Sequence, residues 1–458
     1  MSSTSRRGLL QGLGALALLP GAARAADTPP NILFILADDM GWADLGVYGA
    51  RDYATPHLDK LAAQGIRFTQ GYANSAVCSA TRFGLITGRY QYRLRGGLEE
   101  PVGGDQLGLP PEHPTLPSLL KARGYRTALF GKWHLGALPK YGPLKSGYDE
   151  FFGNTGGAVD YFTHRAGVGA NLPPDLFEGD VRVDKAGYYT DLIAEHGQAF
   201  LRRQTAAQPF LLSLHFTAPH WPWEGPGDEP VSRQLKTLNH SDGGSLEKYG
   251  EIVGALDAAV GRVLATLEAQ GLAQNTLVVF TSDNGGERFS NTWPFSGQKS
   301  ELLEGGIRVP TLLRWPARVK AGQVSDQVVI SMDWLPTLLA AAGTAPSADY
   351  PSDGANVLPQ ILGQAAPVER KLFWRYKSNA QRALREGDWK YLQVNGNEFL
   401  FNLAQDSRER ANLAEREPER LARLRADWLA WDATMLPITE DVKSYKISPK
   451  VQADRPGA

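Results

Sequence analysis

Short runs of apolar residues recur along the chain at 31–37, 126–131, 209–216, 276–282 and 309–314, each flanked by Gly, Pro or polar breakers. Runs of that length, rich in Ile, Leu, Val and Phe, predict strands buried on both faces. Between them, apolar positions repeat at helical spacing over 58–64, 116–123, 188–202 and 246–268. Strands alternating with helices predict a parallel or mixed sheet covered on both sides. From 343 to 368 the pattern becomes loop-like, with Pro346, Pro351, Pro359 and Pro367. Strand-like pieces at 371–377, 381–385, 389–394 and 398–403 then precede a helical stretch at 417–431. The expected fold is α/β: a large mixed, mostly parallel sheet sandwiched by helices in 26–365. A small C-terminal α+β subdomain with an antiparallel sheet is expected in 366–458.

The first 25 residues read as an address. Arg6 and Arg7 precede an uncharged Leu/Ala-rich run over 8–23, followed by Ala23-Arg24-Ala25. A basic start, an apolar middle and an A-x-A site make a signal peptide, and the paired arginines resemble a twin-arginine leader. An ordinary secretory leader carrying two arginines is the plainer reading of the same residues. The run falls short of the ~20 apolar residues a bilayer span needs, and no later stretch supplies them. An exported chain, periplasmic in a bacterium or extracellular, is expected, with the export machinery as a partner and no membrane span.

Composition changes the picture in two ways. The 458 residues carry 48 Lys+Arg against 49 Asp+Glu, a balance that argues against a nucleic-acid partner. A single cysteine, Cys78, excludes any intramolecular disulfide framework. In an exported protein, which is free to use disulfides, one retained thiol points away from a structural role.

Ligands of open α/β sheets bind beyond the carboxyl ends of the strands. Asp38 and Asp39 follow the first predicted strand, Lys132-Trp133-His134 the second, Pro219-His220 the third, and Asp283-Asn284-Gly285-Gly286 the fourth. Four strand ends thus send three carboxylates, an amide, two imidazoles and an ammonium toward one rim. Each piece alone has a plain explanation: Asp and Asn are turn and cap residues, and a lone histidine is usually structural. Together, three neighbouring carboxylates repel unless a positive charge sits between them. Oxygen donors without a Cys or His cluster favour Ca²⁺ or Mg²⁺ over zinc. Trp221 and Trp223, beside His220, suit either a core or a platform for a sugar or aryl ring.

Cys78 opens Cys78-Ser79-Ala80-Thr81-Arg82, with Leu85-Ile86-Thr87-Gly88-Arg89 following. A helix starting at Cys78 would place Arg82 one turn on, and backbone N–H groups at its start suit an anion. A buried, inert thiol is the alternative for a free cysteine. Here the sequence resembles the type I sulfatases, the formylglycine-dependent branch of the alkaline phosphatase superfamily. Their hallmark is Cys-x-(Pro or Ala)-x-Arg followed by Leu-x-Thr-Gly-Arg. The likeness extends over Ala37-Asp38-Asp39-Met40-Gly41, Gly131-Lys132-Trp133-His134-Leu135-Gly136 and Pro219-His220-Trp221-Pro222. It continues through Ser282-Asp283-Asn284-Gly285 and Lys299, then Glu304-Gly305-Gly306-Ile307-Arg308-Val309-Pro310, to Leu400-Phe401-Asn402-Leu403. Within that family the chain resembles arylsulfatase A-like and N-acetylgalactosamine-6-sulfatase-like members.

The resemblance implies that a formylglycine-generating or other sulfatase-maturing enzyme converts Cys78 to formylglycine. Position 80 departs from the pattern, with Ala where most aerobic members carry Pro. By resemblance, Asp38, Asp39, Asp283 and Asn284, with Cys78 in its oxidised form, hold a cation, Ca²⁺ by family habit and Mg²⁺ otherwise. One hydroxyl of the aldehyde hydrate attacks sulfur and the alcohol leaves; His134 then deprotonates the other, releasing sulfate. Arg82 and Lys132 would orient the hydrate, while His220 and Lys299 grip sulfate and assist the leaving oxygen. The expected substrate is a sulfated aryl compound or carbohydrate, with Tyr161, His164, Trp223 and Trp293 on loops facing its alcohol part. Alternatives are a phosphonate or phosphate ester hydrolase of the same superfamily, and an inactive protein that binds sulfated glycans.

Overall fold

The computed structural model describes residues 28–446, apart from 101, 103–105 and 170. The signal peptide expected in 1–25 lies outside these. In chain order, the strands of the first part are β1 (Asn31–Ala37), β2 (Ile66–Phe68), β3 (Gly71–Tyr72), β4 (Arg126–Gly131), β5 (Glu150–Gly153) and β6 (Phe177–Glu178). They continue with β7 (Val181–Arg182), β8 (Phe210–His215), β9 (Thr276–Ser282), β10 (Thr311–Arg314), β11 (Gln323–Ser325) and β12 (Val329–Ile330). The helices are α1 (Pro56–Ala63), α2 (Cys78–Thr87), α3 (Leu116–Lys121), α4 (Tyr189–Arg202) and α5 (Glu229–Ser232). After them come α6 (Leu246–Ala269), α7 (Glu304–Ile307), α8 (Trp334–Ala341), α9 (Leu358–Ile361) and α10 (Pro418–Asp432).

Ten strands form one sheet in the order β11-β2-β10-β9-β1-β8-β4-β5-β6-β7, with β9, β1, β8, β4 and β5 parallel. The central strands are buried along their whole length, which is why they read as unbroken apolar runs. Alternate residues of β1 serve the two faces. Leu33 and Ile35 pack with α4 and α6 through Ile193, Phe200, Ile252 and Val260. Ile32, Phe34 and Leu36 pack on the other side with Phe83 of α2, Leu120 of α3 and Leu338 of α8. Ser245 caps α6 by accepting the Lys248 N–H at 3.0 Å, and Thr115 and Ser118 form a reciprocal cap on α3.

β13 (Lys371–Tyr376), β14 (Gln381–Glu386), β15 (Trp389–Val394) and β16 (Asn397–Asn402) make an antiparallel sheet in sequence order. One face, with Trp374, Tyr376 and Ala383, packs against Tyr72, Val77 and Ala80 at the start of α2. The other lies under α10, where Leu384, Tyr391 and Leu400 meet Leu424 and Trp428. The small sheet therefore backs the segment that carries Cys78. Between the two parts, the buried Lys390 ammonium bridges Glu304 at 2.9 Å and Glu409 at 2.8 Å.

Candidate active site

Residue pairing between strands decides where the polar residues emerge. Ala37 of β1 lies opposite Ser282 of β9, so Asp38-Asp39 and Asp283-Asn284 leave the sheet side by side. Gly131 of β4 lies opposite His215 of β8, which sets Lys132 beside the strand end that leads to His220. The crossing is tight: the Asp283 N–H donates to the Ala37 carbonyl at 3.2 Å, and the Lys132 N–H to that of His215 at 2.8 Å. Asp39 takes a left-handed backbone, φ 64°, the sort of strained turn that functional sites retain.

Cys78 begins α2, whose N-cap, Val77, offers no side-chain acceptor to the first turn. Every residue of the helix is buried, and the Thr81 hydroxyl fixes the approach by bonding both N–H and C=O of Ser75. One turn on, Arg82 donates from Nε to Asp283 at 2.9 Å and from Nη1 to the Lys132 carbonyl at 2.9 Å. Lys132 Nζ lies 2.5 Å from Asp38, and Lys299 Nζ 2.7 Å from Asp39. The Asn284 amide donates to Asp39 at 2.7 Å. His220 Nε2 is 3.5 Å from the same carboxylate, and its Nδ1 is 2.7 Å from the Trp221 carbonyl.

Donor atoms of Asp38, Asp39 and His220 fall within 4.8 Å of one another, as do those of Asp38, Cys78 and Asp283. Asp38 Oδ1 and Asn284 Oδ1 are buried without a hydrogen-bond partner among the described residues. Buried oxygens left unpaired are costly, so this pair fits a hard cation seated among oxygen donors. Electrostatics agree. Burial, reinforced by Asp283 and Asp39, pushes the Asp38 carboxyl up to about 8 despite Lys132 and Arg82. At Asp39 burial pushes the same way, but Lys299 and His220 outweigh it and hold the group at about 2. With all three carboxylates ionised, Asp38, Asp39 and Asp283 balance Arg82, Lys132 and Lys299, so a divalent ion bound among them would make the pocket attractive to an anion.

A cavity of about 120 Å³ opens over this cluster, lined by Cys78, His134, His220, Trp221, Lys299 and Tyr445 among others. Burial pushes the Cys78 thiol up, which disfavours a thiolate nucleophile. Burial, then Lys132 and Arg82, hold the His134 imidazole well below its usual range, hence neutral and able to accept a proton. Its Nδ1 has no partner among the described residues. A wider cavity of about 400 Å³ shares His134 and runs between Gly136, Thr155, Gly156, Asp175 and Arg182.

All ten residues read from the chain as site residues thus gather at one strand-end rim, though not in one layer. Cys78, His134, His220 and Lys299 line the cavity, while Arg82 and Lys132 lie beneath it as partners of the carboxylates. The loops expected to face the alcohol part need correction. Tyr161, His164 and Trp223 are core residues, the first donating its hydroxyl to the His220 carbonyl at 2.9 Å. Trp293 is 61 % exposed and stacks with Arg408. Of the two tryptophans beside His220, Trp221 lines the cavity and Trp223 fills the core.

Three contributors escaped the sequence reading. Glu287, buried, accepts from Trp221 Nε1 at 3.1 Å and lies 3.9 Å from Lys299; its place three residues after Asn284 was a usable signal. Asp44, also buried, accepts from Gly41 N–H, Ser290 Oγ and Asn291 N–H at 2.7 Å each. It thereby ties the loop after β1 to the loop after β9. Tyr445 comes from far along the chain, and nothing in its local sequence marks it.

Comparison with known proteins adds the following. The family described as Sulfatase matches residues 30–344, and the one described as N-sulphoglucosamine sulphohydrolase, C-terminal, matches residues 297–425. The N-acetylgalactosamine-6-sulfatase of Canis lupus familiaris is 36 % identical over 399 residues, covering 80 % of this chain and 72 % of that protein. The steryl-sulfatase of Mus musculus is 33 % identical over 459 residues, covering 81 % and 71 %. Among solved structures, Ps i-CgsB in complex with k-i-k-neocarrahexaose superposes with a TM-score of 0.81 at 29 % identity, covering 93 % of this chain and 96 % of that one.

Proposed function

Since the chain belongs to the sulfatase family and is a sulfuric ester hydrolase, we propose that it releases sulfate from a sulfated carbohydrate by means of an oxidised Cys78 and a divalent cation. The observation that carries this reading is the buried group of Asp38, Asp39, Asp283 and Asn284, two of its oxygens unpartnered, beside the Cys78 side chain. In the structure Cys78 Sγ stands in for an oxygen of the formylglycine residue. Those four side chains would hold the cation, Ca²⁺ being favoured and Mg²⁺ the other oxygen-seeking choice. Bound there, the cation would neutralise charge building on a sulfate oxygen. The formylglycine hydrate supplies an oxygen nucleophile for sulfur and a second hydroxyl whose loss of a proton frees the sulfate.

This chain's own residues do the remaining work. Arg82 and Lys132 pair with Asp283 and Asp38, fixing the orientation of these two carboxylates before substrate arrives. His134, kept neutral by burial and its cationic neighbours, takes the proton from the second hydroxyl. Lys299, despite burial, stays firmly protonated beside Asp39. With His220 it faces the cavity, placed to bind sulfate oxygens and to stabilise the departing alkoxide.

A carbohydrate substrate is supported by the names of the N-acetylgalactosamine-6-sulfatases and by the oligosaccharide in the Ps i-CgsB structure, each said of those proteins. A sulfatase-maturing enzyme is the partner that oxidised Cys78 requires. The leader in 1–25 supports export, and no helix among the described residues is long and apolar enough to cross a membrane. The test is sulfate release from a panel of sulfated sugars before and after metal removal verified by elemental analysis. Turnover should vanish on removal and return with Ca²⁺; full turnover by metal-free protein would overturn the reading.

A further inference from the structure

Tyr445 enters the catalytic cavity from a part of the chain that the strand-end logic does not cover. The segment after α10 is held at many points, nearly all through its backbone. Leu436 N–H donates to the Tyr92 carbonyl at 3.1 Å, and Arg375 Nη2 donates to the Leu436 carbonyl. Lys377 Nζ, just past the end of β13, donates to the carbonyls of Thr439, Glu440 and Val442. Glu100 and Glu99 then take over, with Glu100 N–H donating to the Lys443 carbonyl at 2.9 Å and Lys443 N–H to Glu99 Oε2 at 2.6 Å. Finally the Tyr376 hydroxyl donates to the Tyr445 carbonyl at 2.5 Å. So many anchors bring residues 436–445 back across the molecule as a strap.

The strap ends where chemistry is expected. The Tyr445 ring lines the same cavity as Cys78, His134 and His220, and Lys299 Nζ sits 4.9 Å from its centroid. Trp221 is the other large aromatic lining residue, and its indole N–H is engaged by Glu287, which fixes the ring. An ammonium and a pair of aromatic rings beside a sulfate-ester centre suit a pyranose, whose C–H faces stack on aromatic surfaces while its sulfate meets the cation.

Building on the sulfatase reading above, we propose that the strap is part of the active site and that Tyr445 is a specificity-determining residue, its ring forming with Trp221 the wall that receives the sugar ring bearing the sulfate. Tyr445 acts on the alcohol part of the substrate and not on the sulfate group.

Steady-state kinetics on a 6-O-sulfated N-acetylgalactosamine, with inorganic sulfate as a ring-free competitive inhibitor, test this in the full-length, matured, metal-loaded enzyme. Tyr445→Ala and Tyr445→Leu should each raise KM about tenfold with kcat within about threefold of wild type, the pattern of lost ground-state binding. Tyr445→Phe, which keeps the ring, should match wild type, and the inhibition constant of inorganic sulfate should be unchanged in all three. The two truncations differ in how much apolar cover they leave, so agreement between them, at unchanged melting temperature, separates ring loss from misfolding. An unchanged KM in both truncations overturns the proposal. So does a sulfate inhibition constant that weakens in step with KM, or a fall in kcat alone, since either means that the ring acts through Lys299. Wild type that hydrolyses none of the sulfate esters would sink the sulfatase reading itself, a result distinct from active wild type with indifferent Tyr445 variants.

Discussion

Gly157 sits against the His134 imidazole, and a methyl group there should cripple turnover without touching the metal site. A Cβ built on Gly157 would lie 2.8 Å from His134 Cε1 and 2.9 Å from Nε2. Carbon atoms in contact settle at about 3.5–4.0 Å, so ring and backbone must part by roughly 0.7–1 Å. The histidine cannot yield easily: its own φ is 57°, and its backbone N–H is held by the Thr155 carbonyl at 3.3 Å. Misplacing a proton-transfer group by ~1 Å costs on the order of 100-fold in rate. Gly157→Ala is therefore expected to lower kcat by about 100-fold, with bound metal and melting temperature close to wild type, since Asp38, Asp39, Asp283 and Asn284 lie on other loops. Sulfate release measured alongside metal content is the assay. A variant with kcat within about twofold of wild type would refute the placement of His134 as the proton acceptor.

Other expectations concern the cage, the joint between the two sheets and pH. Asp283→Ala removes the partner of Arg82 and one carboxylate of the cage, so metal content by elemental analysis should collapse together with turnover; full metal occupancy would contradict the assignment. Lys390→Met strips the buried cation from Glu304 and Glu409, which should cost about 3–5 kcal/mol in urea denaturation, and an unchanged midpoint would count against the joint. Glu224 is held protonated up to about 9, chiefly by burial and next by Asp160, whereas an unfolded glutamate titrates near ~4.3. Between those values the native state binds the proton more tightly, so stability declines as pH rises. Glu224→Gln should accordingly raise the melting temperature more at pH 8 than at pH 5; an equal shift at both would exclude the titration of Glu224 as the cause.

Much of this architecture was legible because doubly buried strands leave a simple signature. β1, β4 and β9 end where their apolar runs end, and their next residues are the site. The C-terminal strands also read correctly, to within a residue or so, from alternation and turn residues. What escaped was decided by tertiary context. β2, β3 and β12 have two or three residues each, too few to show a period, and α8 lay hidden because Trp334 and its neighbours are apolar on all sides. Tyr161, His164 and Trp223 look like surface recognition residues in a list, but their loops fold inward and bury them. Tyr445 reaches the cavity only through a long return of the chain, a contact no local pattern can encode.

The most direct measurement is the mass of the peptide spanning residue 78, taken from natively produced protein whose sulfate-releasing activity has been measured on the same sample. The expected result is an aldehyde or its hydrate at that position, with turnover proportional to the converted fraction. Full-rate sulfate release from protein that carries only the unmodified Cys78 thiol would contradict the account.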